Sequence, residues 1–529
     1  MGAAPGSEVP TVTLPVGGRD RSSLVSARRR RGPVLLVLCV SLLIVSLDTT
    51  ILNVALPTIV RALSASSSQL QWIVDAYAVA FAGLLLVLGS LADRFGRKWM
   101  FMAALAAFAA GSAGAAFSGT PDRLMAARAF MGVGAAGIMP ASLSLLTNVF
   151  PEPKERARAI GIWSGTTGLG VALGPMAGGW LLSHFWWGSV FLVNVPIALV
   201  GALATGLLVP NSRDPEAKSA DPGGTTLSMA GMGLLLWGII EAPNGGWTSP
   251  RVLVALGAAV AGLGAFVVWE RRSSHPMLEM SFFRARRFSV AIGATAVVIF
   301  ALMGGLFLLT QYLQFCLGYS ALQTGLRIAP IAAVLLVVAP ASTWLSRLGG
   351  TKPVVFTGMG LVACGLLLLS RTSVHGTYTD ALPPFICLGI GIGLTLAPCT
   401  DSVMGTLPRA RSGVGSATNG AALQTGGALG VAVLGSLLNG RYQSHLAPAV
   451  GQYPVPAPVV HLINGSLGGA LAVADRVGGP LGAALADAAR HAFVAGMDVA
   501  MLAGGLIVGL AALVVLALLP NRPPAESTA

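Results

Sequence analysis

Charge is scarce in this chain. Asp, Glu, Lys and Arg make up 10% of its 529 residues and mean hydropathy is +0.76, which excludes a soluble domain with a hydrated surface. Histidine is rare as well: none of the six (His184, His275, His375, His445, His461 and His491) falls well inside an apolar run. A proton relay across these runs must therefore use carboxylates. The five cysteines, Cys39, Cys316, Cys364, Cys387 and Cys399, are odd in number and scattered; they offer neither a disulfide framework nor metal spacing and read as small core residues. No Lys follows a Gly, so there is no Walker A lysine and no basis for an ATP-driven pump. A polytopic membrane enzyme would need His, Cys or carboxylates clustered on a loop, and the loops offer only scattered ones.

What fills the chain instead is apolar sequence. A spanning helix needs about 20 mostly apolar residues, and fourteen such stretches begin near Val34, Gln71, Trp99, Asp122, Ala159, Gly188, Thr225, Val252, Phe288, Gly325, Pro353, Leu382, Gly413 and His491. They predict an all-α polytopic membrane protein with no sizeable soluble domain. The net charge of +13 reports orientation and not a nucleic-acid partner. With the N-terminus inside, 24 of the 33 Lys and Arg lie inside and eight outside, with Arg128 in a span, which is the positive-inside bias. An even number of spans puts both termini in the cytoplasm. The first apolar run is longer than a signal-peptide core and contains Asp48, so it reads as a retained helix.

The expected organisation is a basic, disordered tail over residues 1–32, a six-helix bundle over 33–209, a linker with two extra spans over 210–287, a second six-helix bundle over 288–520, and a polar tail over 521–529. An external loop over 440–490 holds LAVADRVGGPLGAALADAARHAF, expected to be an amphipathic surface helix. The bundles read as repeats, spans 1–6 echoed by 9–14. ADRFGRK after span 2 is matched by SRLGGTK after span 10, pairing Arg94 with Arg347 and Gly96 with Gly349, and leaving Ser346 where Asp93 would be. Such duplication suits a transporter with its site near the midplane.

Four polar features interrupt the apolar sequence. Asp48 sits near the middle of PVLLVLCVSLLIVSLDTTILNVALP, where a carboxylate costs roughly 2.5–3.5 kcal/mol on the insertion scale; it either carries a proton or cation, or is satisfied by a neighbouring helix. Arg128 lies about two turns into the fourth span and needs an acid or carbonyls; a structural ion pair is the alternative. Asp75, between Trp72 and Tyr77, which suit the interfacial belt, is about one turn from the outer end, where gating, substrate contact and interfacial solvation are all open. GSLADRFGRKWMF (Gly89 to Phe101) combines a turn glycine, Gly96, with Asp93, Arg94, Arg97 and Lys98. Gly170, Gly174 and Gly178, with Gly179 and Pro175 beside them, allow close helix contact and a bend in the fifth span.

GSLADRFGRKWMF resembles the signature between the second and third helices of the major facilitator superfamily. LDTTILNVALP, RAFMGVGAAG, GVALGPMAGG, WIVDAY and GVGSATNGAALQTGGALGVAVLGS resemble its fourteen-helix drug:proton antiporter branch. The resemblance implies the major facilitator fold, two six-helix bundles plus two inserted helices. It also implies proton coupling through Asp48, Arg128 and Asp75, a conformational latch at Gly89, Asp93, Arg94, Gly96, Arg97 and Lys98, and an antiporter motif at Gly170, Gly174, Pro175, Gly178 and Gly179. Where some relatives pair the latch arginine with an acid at the end of the fourth helix, this chain has Asn148, so Glu152 or Glu155 must substitute or the latch is weaker. Some exporters of dications carry acids in helices 10 and 13; this chain does not.

The expected function is proton-driven efflux of lipophilic small molecules, such as antibiotics, across a bacterial inner membrane by alternating access. Asn53, Trp163, Gln311 and Gln314 are candidates to line the cavity between the bundles. The partners are the substrate, protons and the lipid bilayer, with no metal, no cofactor and a monomeric state expected. A proton-coupled metabolite importer is the alternative.

Overall fold

The computed structural model describes residues 21–213, 221–273, 276, 278–406, 412–450 and 456–521, and among these it contains helices and connections but no strand. Lys218, Arg409, Arg411 and Arg522 of the charge count, part of the 440–490 loop (451–455) and most of both tails lie outside the described residues. The first group of helices is α1 (Arg21–Leu63), α2 (Ser67–Phe95), α3 (Arg97–Ala116), α4 (Pro121–Val149), α5 (Pro153–His184), the single turn α6 (Ser189–Leu192) and α7 (Asn194–Leu208). A pair, α8 (Pro222–Gly245) and α9 (Pro250–Arg272), follows. The second group is α10 (Arg286–Gln311), α11 (Ala321–Gly349), α12 (Thr351–Leu369), α13 (Tyr378–Thr406), α14 (Ser412–Val450), α15 (Ala457–Gly465), α16 (Leu467–Val477) and α17 (Gly479–Leu518). Among the described residues, thirteen helical segments are long and apolar enough to cross a membrane. The long α5, rich in glycine, is the fourteenth expected span. Backbone groups in lipid must be satisfied within their own segment, so this composition folds as helices.

The groups repeat in detail. α2 and α11 each open on a capping box, Ser66 with Gln69 and Ser320 with Gln323, in which side chain and backbone satisfy each other's free N–H groups. Each ends on a glycine with positive φ, Gly96 (116°) and Gly350 (92°), a conformation that costs glycine little. The offset is 254 residues for all three pairs (66 to 320, 69 to 323, 96 to 350). The sequence register of Gly96 with Gly349 is therefore one residue out, and Arg347, not Ser346, stands opposite Asp93. Each group's last helix also returns to its glycine turn through Pro-Asn: Arg97 N–H donates to Ser212 O at 2.9 Å, and Thr351 N–H to Asn521 O at 3.2 Å. The end bearing these turns, with Arg94, Arg97, Lys98, Arg347 and Lys352, is called here the basic end.

At the opposite, far end the groups are pressed together. A Cβ on Gly179 of α5 would lie 2.6 Å from Leu322 of α11, and one on Gly325 would strike the Pro175 carbonyl. Toward the basic end α5 and α11 diverge: a Cβ on Gly168 would lie 3.9 Å from Leu336, and one on Gly161 or Gly165 would meet nothing within 4 Å. The expected surface helix is two different things. Gly478 and Gly479, at φ +63° and +59°, break it. Before the break, α16 buries Leu467, Ala470, Val473 and Ala474 and lays Gly468 against Val60 of α1 and Phe315. After it, the chain forms the first turns of α17. The inserted α8 ties to both groups at the far end: Asn244 donates to Ser68 Oγ of α2 at 2.8 Å, and Gln443 of α14 donates to Asn244 Oδ1 at 2.9 Å.

Candidate functional site

Asp48 and Arg128 meet in the first group. α1 presents Asp48 and α4 presents Arg128, 80 residues later; Arg128 Nη1 donates to Asp48 Oδ2 at 2.5 Å, with the two side chains 0% and 1% exposed. Arg128 is satisfied further by the Ile73 carbonyl, which accepts from Nε at 3.1 Å, and by the Tyr77 ring, 4.3 Å from the guanidinium carbon. The planar fork thus holds three partners in fixed directions, something a lysine ammonium cannot do. Asn194, the first residue of α7, donates from Nδ2 to the other oxygen of Asp48 at 3.2 Å and lies 3.5 Å from Ser112 Oγ of α3. Asn194, Ser112 and Tyr77 were not among the expected site residues. Asn194 carried a usable signal, an amide inside the apolar run FLVNVPIAL. Tyr77 was expected in the interfacial belt, but it is buried because Arg128 uses its face.

Asp75 does not join this cluster. It is 0% exposed, and neither carboxylate oxygen has a hydrogen-bond partner, so interfacial solvation does not describe it. One helical turn earlier, Gln71 reaches across to α14, donating to Val431 O at 3.5 Å and packing on Gly435.

The glycines of α5 explain how α1 is held. Positions 170, 174 and 178 face α1, where Cβ atoms would strike Ser46, Thr50 and Ile51; Gly179 and Pro175 face α11. α5 is therefore wedged between the helix carrying Asp48 and the second group. The four residues expected to line the cavity are all buried in this conformation. Trp163 donates to Ser142 Oγ at 3.1 Å and Gln311 to Phe307 O at 3.0 Å. Asn53 donates to Thr49 O at 3.2 Å, with its own Oδ1 unpartnered. Gln314 donates to Val54 O of α1 at 2.9 Å and so bonds the two groups together.

At the basic end, Arg97 Nε donates to Asp93 Oδ1 at 2.7 Å across the Gly96 turn, and Lys98 Nζ donates to Gly206 O at 2.7 Å. Arg94 lies over the Phe95 ring, and Gly89 lets α2 approach Pro140 of α4. Glu155 accepts from Arg31 of α1 at 2.6 Å, and Glu152 is exposed.

Comparison with known proteins gives the family and the fold. The family model described as the Major Facilitator Superfamily matches residues 38–431. The chain is 35% identical to the multidrug efflux pump LfrA of Mycolicibacterium smegmatis over 91% of this chain and 95% of that protein. It is 34% identical to the tetracenomycin C resistance and export protein of Streptomyces glaucescens over 92% of each. Among solved structures, a bacterial homologue of the human lysosomal transporter Spinster, inward-facing and unoccupied, superimposes with a TM-score of 0.64 at 19% identity, covering 94% of this chain and 99% of that one.

Proposed function

The chain belongs to the major facilitator superfamily, and we propose that it is a proton-coupled exporter of lipophilic small molecules, working by alternating access. Efflux of drugs is the activity named for its relatives. The basic end faces the cytoplasm, with both termini there, because basic residues are retained on that side. In the conformation described, the far end is closed and α5 and α11 part toward the cytoplasm.

The observation that carries the reading is the fully buried Asp48–Arg128 pair. A buried pair is weak evidence for stability, since desolvation can exceed the Coulombic gain. Its value lies in what a proton does to it. Protonating Asp48 removes the charge opposite Arg128 and leaves the guanidinium held by Ile73 O and Tyr77. The position of α1 against α4 then depends on the proton, and α5, packed on α1, transmits the change to α11. Proton and substrate affinities become linked, and linkage between binding sites is reciprocal. Asp75, buried and unpaired on α2 beside α14, is a second proton site in this reading.

Accumulation of a fluorescent lipophilic dye by everted vesicles under an imposed proton gradient tests it. Wild-type vesicles accumulate the dye and lose it on addition of an uncoupler, and Asp48→Asn, which keeps size and polarity, inserts but does not accumulate. Full uncoupler-sensitive accumulation by Asp48→Asn would sink the assignment and pass the role to Asp75.

A further inference from the structure

Asp48 has two oxygens, and only one belongs to Arg128. The other accepts from Asn194 Nδ2 at 3.2 Å, and the same nitrogen lies 3.5 Å from Ser112 Oγ. Asn194 itself is 0% exposed, and its own carbonyl, Oδ1, is buried without a hydrogen-bond partner. The charged and titratable groups facing Asp48 are Arg128 from α4 and Tyr77 from α2. α6 and α7, SVFL and NVPIALVGALATGLL, carry no ionisable side chain.

We propose that Asn194 and Ser112 are positioning residues that let Asp48 keep its hydrogen bonds in both protonation states, by a half-turn of the Asn194 amide. The proposal rests on Asp48 being the coupling carboxylate. When Asp48 is ionised it can only accept, and the amide N–H donates to it. When a proton is bound on the oxygen facing Asn194, that O–H needs an acceptor, and a nitrogen donor opposes it. Rotation about the terminal torsion of Asn194 exchanges Nδ2 for Oδ1, and an amide presents two donors on one side and an acceptor on the other. Oδ1 then accepts from the Asp48 O–H and from Ser112, whose hydroxyl rotates from acceptor to donor. One amide atom points into the unpartnered position in either orientation, so the exchange loses no hydrogen bond. A lysine or arginine in place of Asn194 would serve only the ionised form, and a leucine neither.

Infrared difference spectra between acid and alkaline pH, taken on the full-length protein in lipid vesicles, test this without any ligand. In the wild type, a carboxyl C=O band that is absent from Asp48→Asn should appear on acidification, accompanied by a side-chain amide change absent from Asn194→Leu. In Asn194→Leu the protonated Asp48 no longer donates to an amide oxygen, so its C=O band should move in frequency and the amide change should vanish; Ser112→Ala should alter both by less. An Asp48 band accompanied by no Asn194-dependent amide change in the wild type would overturn the adaptor and leave the coupling role of Asp48 standing. Should Asn194→Leu fail to fold, an unchanged C=O frequency and amide change in Ser112→Ala would overturn it alone. Absence of any Asp48-dependent band in the wild type would instead defeat the coupling reading, and the adaptor with it.

Discussion

The same scaffold appears twice in this molecule, once with a buried ion pair and once without. Asp48 lies 18 residues before the capping serine of α2, and Leu302 lies 18 before that of α11 (66 − 48 and 320 − 302). Arg128 is the eighth residue of the 29-residue α4, and Phe385 is the eighth of the 29-residue α13. Leu302 lines an apolar cavity with Leu306, Ile328, Ile331, Leu335 and Ile392, while Phe385 is buried edge-on to Tyr378. The second group therefore acts as an internal control. At the positions matched by this count the second group has leucine and phenylalanine where the first holds carboxylate and guanidinium, so the repeated helices form without the charges. What the fold does not need, the function must account for.

Asp48→Leu combined with Arg128→Phe should insert and fold, with stability within about 2 kcal/mol of wild type, because replacing a buried ion pair by apolar residues is often neutral or stabilising. Gradient-driven dye transport by the double variant should be abolished. Thermal unfolding in detergent and vesicle transport measure the two halves of that statement. A double variant that fails to fold would mean that the pair holds the first group together, and the lesson drawn from Leu302 and Phe385 would be lost.

A smaller change sharpens the contrast at one residue. Arg128→Lys keeps the charge but replaces a fork that spans Asp48, Ile73 O and the Tyr77 ring with a single ammonium. Transport should fall at least about tenfold, corresponding to 1.4 kcal/mol or more, although the protein inserts normally. Near-normal transport with an unchanged pH profile would reduce Arg128 to a structural counter-ion.

These two residues were legible in the sequence for the same reason they are costly: a charge inside an apolar run stands out. The spans were legible through hydropathy alone. Contacts between helices were not, because they depend on rotation about each helix axis. Tyr77 looked like an interfacial aromatic and proves to be the platform under Arg128; Ser112 looked like any serine in a span. Asn194 is the instructive miss, since a buried amide in FLVNVPIAL meets the rule that singled out Asp48. The expected repeat register is one residue out because Arg94 and Arg347 match only by residue type, whereas the Ser-x-x-Gln caps have a mechanism and agree on 254. The external stretch reads as one amphipathic helix, and only the paired glycines 478 and 479, at positive φ, divide it in two.

The glycine turns offer the next contrast. Around Gly96, Asp93 and Arg97 form an ion pair at 2.7 Å; around Gly350 the equivalent positions are Arg347 and Thr351, which cannot. Asp93→Ala should lower the transport rate up to several-fold while substrate affinity changes little, as expected from losing a part-exposed ion pair worth roughly 0.2–1 kcal/mol. Arg347→Ala should have the smaller effect. Equal losses from both variants in a vesicle assay would show that the Asp93–Arg97 pair is not what sets the first turn apart.

The smallest effect is expected where the groups are joined by a third party. Asn244 of α8 is bonded to Ser68 on one side and to Gln443 on the other, with Asn439 Nδ2 3.4 Å from its oxygen. Opening the far end requires α2 and α14 to separate there, so at least one of these bonds must break in each cycle. The bonds are neutral and partly exposed, each worth about 0.5–1.5 kcal/mol. Asn244→Leu releases both sides at once and should shift the population toward the form open at the far end by a few-fold. Spin labels at the far ends of α2 and α14 would report that shift as a longer distance component. Ser68→Ala removes only the bond to the first group. Because α2, α8 and α14 are joined in series, losing that bond already frees the seam, and Ser68→Ala should give nearly the shift of Asn244→Leu. A clearly smaller shift from Ser68→Ala would mean that α8 also parts from α14 on opening, whereas no shift in either variant would leave α8 a passive neighbour of the seam.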